Sequence, residues 1–382
     1  MEALAQHQAS RSEPASRSKP VQRSKPAPRS QPAQRSEPPR IFPHKLADLA
    51  PTSYAIQAMD NRLPRRELLT RLGTAGLVLG GAAVGGRLLW DKGSFGLAEK
   101  LGERQVRDFT LKQPGDALPQ LVISKSSTSP RELTKAAITA MGGMKRFVSR
   151  GDIVVVKPNI GWDRTVLQAA NTNPEVVATI VELCYDAGAK NVVVTDASCN
   201  DANRSFQRSG IWAAAYAKGA EVIIPAEHRF RSMRLRGEVL DEWPVYTPLI
   251  HADKVINVPI AKHHNLAKYT GAMKNWYGAL GGRRNRLHQN IDTSVADLAT
   301  FMRPTLTVVD ATRILMRNGP QGGNVDDTRV MNQIIASIDQ VAADAYGCTL
   351  IGQKRENLPY LAMGEARGLG TRAWETLRMR EV

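Results

Sequence analysis

The chain has little cysteine. Three thiols, Cys184, Cys199 and Cys348, stand far apart in 382 residues, with no C-x-x-C spacing. Zinc ribbons and cysteine-ligated iron–sulfur clusters need clustered thiolates, so neither is expected within this chain. A disulfide framework is equally out of place in a chain long enough to bury a large core. Cys199, just past a strand end, reads as a buried structural thiol. No apolar run reaches the length of a membrane span: the stretch from Leu72 to Gly86 is about 15 residues with six glycines. Also missing are the G-x-x-x-x-G-K-S/T and G-x-G-x-x-G phosphate loops, the G-x-S-x-G elbow, the H-E-x-x-H helix and the calcium loop.

Positive charge is what the chain has in excess. The formal net charge is +16; residues 1–71 hold 13 basic and 6 acidic side chains, which leaves 39 and 30 in the rest. The globular part is therefore basic in its own right, as suits an anionic ligand, a nucleic acid or an anionic membrane surface, although solubility alone accounts for it equally well. Residues 1–58 read as a disordered tail. Five hexapeptides, from ASRSEP to AQRSEP, run from Ala9 to Pro38, rich in Arg, Ser and Pro and poor in large apolar residues.

Residues 59–98 read as an export signal. Arg65-Arg66, then Leu68 and Leu69, precede the Gly/Ala-rich stretch, the pattern of a twin-arginine signal. No clear A-x-A site follows, so the signal either is cleaved weakly near Ala98 or stays as an anchor. Met59 opens an ordinary n-region and is the expected start of translation. The expectation is a protein carried by the twin-arginine translocase to the periplasm or the outer face of the membrane. Nucleic acid is not an expected partner there. Because this pathway carries folded proteins, a metal or organic cofactor inserted before export is a further expectation.

Residues 117–372 alternate strands and helices, which predicts an α/β domain: a mostly parallel sheet with helices on both faces and a small antiparallel insert at 228–250. Strands are expected at Leu121–Ser124, Asp152–Lys157, Asn191–Thr195, Glu221–Pro225, Lys254–Val258 and Thr305–Val309. Helices are expected from Pro130 to about Val148, from Pro174 to Ala187, over Ser205–Lys218 and Thr293–Phe301, and over the larger part of Met331–Tyr346.

Polar residues recur where these strands end: Lys157 and Asn159, Asp196 and Ser198, Lys262 to His264, and Asp310. Ligands of open α/β sheets bind outside the carboxyl ends of the strands, so these residues point to one cleft. Residues 258–289 add Lys274, Asn275, three arginines and His288 among aromatics, a composition suited to phosphate or carboxylate. His264, Lys262 and Lys157 are the catalytic candidates. Asn159, Asp196, Lys274, Asn275 and Gly319, the last in the glycine-rich loop 318–324, are the binding candidates. His264 and Asp310 are the candidate metal ligands. Arg283–Arg286 fit a solvated surface loop.

These blocks resemble the prokaryotic family known as domain of unknown function 362. The likeness rests on the Lys157/Asn159 strand end, Thr172–Pro174, Asp196, the block Pro259, Lys262, His264, Thr270, Lys274, Asn275 and Gly278, then Asp310-Ala311 with Gly319, Pro320 and Gly323, and Asp339, Ala342 and Asp344-Ala345. It covers roughly residues 120–350. Many relatives carry ferredoxin-like four-cysteine motifs, which implies an iron–sulfur-associated, redox-linked family; this chain lacks them. Two functions follow as expectations: an exported protein that binds an anionic small molecule, cofactor or metal in this cleft, or a non-catalytic accessory partner of an exported redox enzyme that docks through its basic face.

Overall fold

The structure, a computed structural model, describes residues 108–111 and 117–382. The repeat tail and the twin-arginine segment lie outside the described residues. Among those described, no helix is long and apolar enough to cross a membrane.

Twelve strands are present among the described residues: β1 (Leu121–Ser124), β2 (Ile153–Pro158), β3 (Asn191–Thr195), β4 (Glu221–Ile223), β5 (Phe230–Arg234), β6 (Glu242–Tyr246), β7 (Lys254–Val258), β8 (Ile260–His264), β9 (Lys268–Thr270), β10 (Leu306–Leu315), β11 (Thr328–Ser337) and β12 (Met379–Glu381). Ten form one sheet in the order β12-β1-β11-β10-β7-β2-β3-β4, with β8 beside β10 and β9 beside β8. The run β10-β7-β2-β3-β4 is parallel throughout. The β11 strand is antiparallel to both its neighbours, and β5 and β6 form the separate antiparallel insert. The mixed, mainly parallel α/β sheet is the expected fold class.

The helices are α1 (Pro130–Ala140), α2 (Pro174–Asp186), α3 (Ala202–Arg208), α4 (Ile211–Tyr216), α5 (Thr247–Ile250), α6 (Ile291–Phe301), α7 (Gln340–Gly347) and α8 (Pro359–Ala366). Successive residues of the central strands bury into opposite cores. Val154 and Val156 join α1, α2 and α4 on one face, while Val155 joins α6, α7 and α8 on the other. A strand buried on both sides reads as a continuous apolar run, and VVV recurs in β2 and β3 for that reason.

Five expectations are corrected. Residues 331–337 are strand rather than helix: Ile334, Ile335 and Ala336 are wholly buried between β1 and β10, and an apolar run buried on both faces carries no period that separates helix from strand. The first helix stops at Ala140 because Gly142 and Gly143 take positive φ. Gly210, at φ 77°, splits the expected helix 205–218 into α3 and α4. Pro259 divides the segment 254–264, so Lys262 and His264 lie inside a second strand, β8, rather than after β7. Likewise Asp310 lies mid-strand in β10, where its N–H donates to the Pro259 carbonyl at 2.8 Å.

Candidate functional site

From β2 the chain crosses through α2 to β3 on one side, while β7 enters on the other side of β2. That reversal opens a crevice at the carboxyl ends of the strands, where α/β sheets take their ligands. A cleft of about 390 Å³ lies there, lined among others by Asn159, Asp196, Lys262, His264, Lys274 and Asn275.

Lys157 ends β2 as a fully buried cation, 2.7 Å from Asp196 Oδ1 at the end of β3. The other carboxylate oxygen of Asp196 accepts the Ile160 N–H at 2.7 Å. Gly278 makes room for this pair: a Cβ there would overlap Asp196 Oδ1 and stand 2.8 Å from Lys157 Nζ. Burial pulls the Lys157 ammonium down from its ordinary value, and Asp196 opposes that.

Lys262 is held by a relay of amides. Asn257 donates to the Ala272 carbonyl at 2.9 Å. Asn275 Nδ2 donates to Asn257 Oδ1 at 2.8 Å, and Asn159 Nδ2 donates to Asn275 Oδ1 at 2.9 Å. Lys262 Nζ closes the chain on Asn159 Oδ1 at 3.0 Å and also donates to the Ala170 carbonyl. Neutral amides satisfy the ammonium without countering its charge, so burial lowers the Lys262 pKa to about 7.

Lys274 is different. It is 7 % exposed, and its Nζ stands 3.1 Å from the centroid of the Tyr277 ring. Among the described residues no hydrogen-bond or ion-pair partner is placed for it. Burial pushes its pKa well below the ordinary lysine value; the nearby Cys199 opposes that, while Lys262 and Arg284 add to it. The loop before it is pinned by Asp344, whose carboxylate accepts the Ala272 and Met273 N–H groups; Gly271 is small enough to let that carboxylate in.

His264 Nδ1 accepts two backbone N–H groups, from Leu266 and Ala267, each at 3.1 Å. Burial, then Lys274 and Lys262, lower its pKa to about 2. The imidazole is therefore neutral, with its proton on Nε2. A histidine that ligates metal through Nε2 normally donates from Nδ1. Here Nδ1 accepts, so His264 as placed offers Nε2–H as a hydrogen-bond donor. His288 stacks alongside, ring centroids 6.1 Å apart.

Asp310 does not join the cleft. Its carboxylate accepts from the Thr312 N–H and hydroxyl and from the Asn173 N–H at the start of α2; it builds the fold and is not part of the cleft lining. Among the described residues no group of three or more His, Cys, Asp and Glu side chains is placed to hold a metal. Gly319 packs its backbone against β8, its N–H donating to His263 Nδ1 at 3.2 Å, and a Cβ would overlap the His263 carbonyl; Pro320 is the part of that loop that reaches the cleft.

The sequence reading missed or misjudged three residues, Asn257, Arg284 and Cys199. Asn257, a polar residue inside KVINV, was a legible signal of the relay. Arg284 is no solvated loop residue: it donates to the Ala197, Ser198 and Tyr277 carbonyls and braces the rim. Thr270, already named in the family block, lines the cleft with its hydroxyl unpartnered. Cys199, expected to be buried, is exposed and lines the cleft.

A mainly parallel sheet covered by helices, with a crevice at the carboxyl ends of its strands, defines an α/β protein. Its sequence matches the family described as Domain of unknown function (DUF362) over residues 154–349, and the chain belongs to that family. It is 25 % identical over 256 residues to a thylakoid-associated protein of Synechocystis sp., covering 63 % of this chain and 76 % of that one. Among solved structures it is similar to the lactate racemase apoprotein of Thermoanaerobacterium thermosaccharolyticum, with TM-score 0.38 and 10 % identity over 65 % of this chain. A Thermotoga maritima protein gives TM-score 0.35 and 10 % identity over 59 % of this chain. The chain spans 58 % of the length of each of those two structures.

Proposed function

We propose that the cleft binds a small anionic molecule, carrying a carboxylate or a phosphate, and performs acid–base chemistry on it. The observation that carries this reading is Lys274: a side chain nine-tenths buried, lining the cleft against the Tyr277 ring, with no hydrogen-bond or ion-pair partner among the described residues. A buried charge is costly unless it is paired, and an anionic ligand supplies the pair. The one carboxylate among the lining residues, Asp196, is already engaged by Lys157. The roles then divide. Lys274 holds the charge of the ligand, His264 Nε2–H donates to a substrate oxygen, and Lys262, titrating at about 7, gives or takes a proton near neutrality. Lys157 and Asp196, with Asn159 and Asn275, fix the walls.

Titration calorimetry of the full chain with inorganic phosphate and small mono- and dicarboxylates tests the reading. Binding of one of these anions, lost in Lys274→Met with the fold intact, is expected. Failure of the whole panel to bind a folded protein would sink it. The alternative, docking on a redox partner through Arg283, Arg284 and Arg286, is less well supported, because Arg284 is tied into the rim. Export is part of the proposal, on the strength of Arg65-Arg66 and the Gly/Ala-rich stretch. Replacing both arginines by lysine is expected to retain the precursor in the cytoplasm; unimpaired export of that variant removes the twin-arginine route.

A further inference from the structure

The proposed chemistry leaves Cys199 without a role. It is the exposed thiol; Cys184 and Cys348 are buried. Its turn, after β3, is pinned to the loop after β2. The Cys199 and Asn200 N–H groups both donate to the Gly161 carbonyl, at 2.9 and 3.0 Å. The side chain lines the same cleft as Lys262, Lys274 and His264. Its sulfur stands within electrostatic reach of the Lys157, Lys262 and Lys274 amino groups. A partly exposed cysteine in an electropositive cleft is the setting in which thiols react.

We propose that Cys199 is the nucleophile of this cleft and attacks an electrophilic carbon in the anion that Lys274 holds. The inference rests on the anion-binding reading above and narrows its substrate class to small anions with a carbonyl next to the charged group, such as 2-oxo or aldehydic acids. In the step, the thiol proton passes to the Lys262 amine and the sulfur lone pair forms the C–S bond. The C=O π bond breaks, its electron pair goes to oxygen, and Lys262 returns the proton to that oxygen. His264 Nε2–H donates to the same oxygen as charge grows there. The sum is addition of S–H across C=O, with no oxidant or reductant.

Iodoacetate and iodoacetamide test it, because they differ little in size and fully in charge. In each, the C–S bond forms as C–I breaks and iodide leaves. The full chain is labelled with each and the modified cysteine is located by peptide mass spectrometry, with glutathione as the reference thiol. At Cys199 the iodoacetate-to-iodoacetamide rate ratio is expected to exceed that of glutathione by about tenfold, the equivalent of one ion-pair contact of about 1.4 kcal/mol. The excess is expected to vanish in Lys274→Met, to persist in Lys274→Arg, and to fall when inorganic phosphate is added. Unlabelled Cys184 and Cys348 report that each variant is folded. A glutathione-like ratio in a protein that binds phosphate calorimetrically overturns the nucleophile and leaves anion binding standing. A glutathione-like ratio in a protein that binds none of the anion panel overturns both.

Discussion

Two corners of one cleft treat a buried lysine in opposite ways. Where β2 meets β3, Lys157 is neutralised by Asp196, and every atom of that pair is placed by the ends of two parallel strands. Across the cleft, the segment after β9 buries Lys274 against Tyr277 and gives it no countercharge. The first corner is finished by the fold alone. In the proposed function an anion finishes the second. A charge that the fold leaves uncompensated reduces stability, and such groups concentrate where a protein binds or reacts.

Asp196→Ala should break the comparison most severely, because it turns the paired corner into a second unpaired one. It strands Lys157 and the Ile160 N–H together, and the expected loss is about 3–5 kcal/mol, read from denaturant midpoints. A loss under 1 kcal/mol would mean that Lys157 is neutral in the native protein. Gly278→Ala attacks the same pair by volume. A methyl group there must displace Asp196 or Lys157, for an expected cost of about 1–3 kcal/mol. The same measurement, with Gly161→Ala as a glycine of ordinary φ whose added methyl meets only van der Waals contacts, separates the overlap from general glycine effects. Lys274→Met should do the reverse of Asp196→Ala. Removing the uncompensated cation is expected to raise stability by about 0.5–2 kcal/mol while abolishing anion binding. A destabilised variant would show that Lys274 has a structural partner after all.

The smallest effect is in protons. The free Lys262 ammonium titrates at about 7, amid Lys157, Asp196, His264, Lys274 and Cys199. An anion favours the ammonium and so raises that pKa. Below pH 7 the group is charged in both states, and binding takes up no proton there. Above pH 7 the free cleft holds it neutral, so binding takes up at most one proton at Lys262, and affinity falls as pH rises. Lys274, also lowered, acts in the same sense. Calorimetry in two buffers of different ionisation heat measures the uptake; proton release at pH 8 would reverse the assignment.

The parallel strands of the fold were legible because they announce themselves. The VVV runs of β2 and β3, with glycines or prolines at the helix ends, leave few alternatives. The β11 strand was not legible, because Ile334–Ala336 is buried on both faces and carries no period. In the site, Lys157, Asp196 and Lys262 were found by their place beside apolar strands, and Lys274 by the density of cations and aromatics in residues 258–289. Asp310 was picked by the same rule, yet it turns to the start of α2, because β10 runs on past it to pair with β8 and β11. Cys199 was misjudged because exposure of a thiol in a turn depends on what packs above it, not on its neighbours in sequence.

The sequence by itself determined the fold class, the basic charge of the globular part and the set of side chains able to serve an anion. Tertiary structure decided which lysine is paired, which nitrogen of His264 carries the proton and which cysteine faces the cleft. The reason is physical. Each of those states depends on contacts across long stretches of chain: the 39 residues from Lys157 to Asp196, the 103 from Asn159 to Lys262 and the 116 from Asn159 to Asn275. Charge, tautomer and exposure follow from such contacts, and no local pattern encodes them.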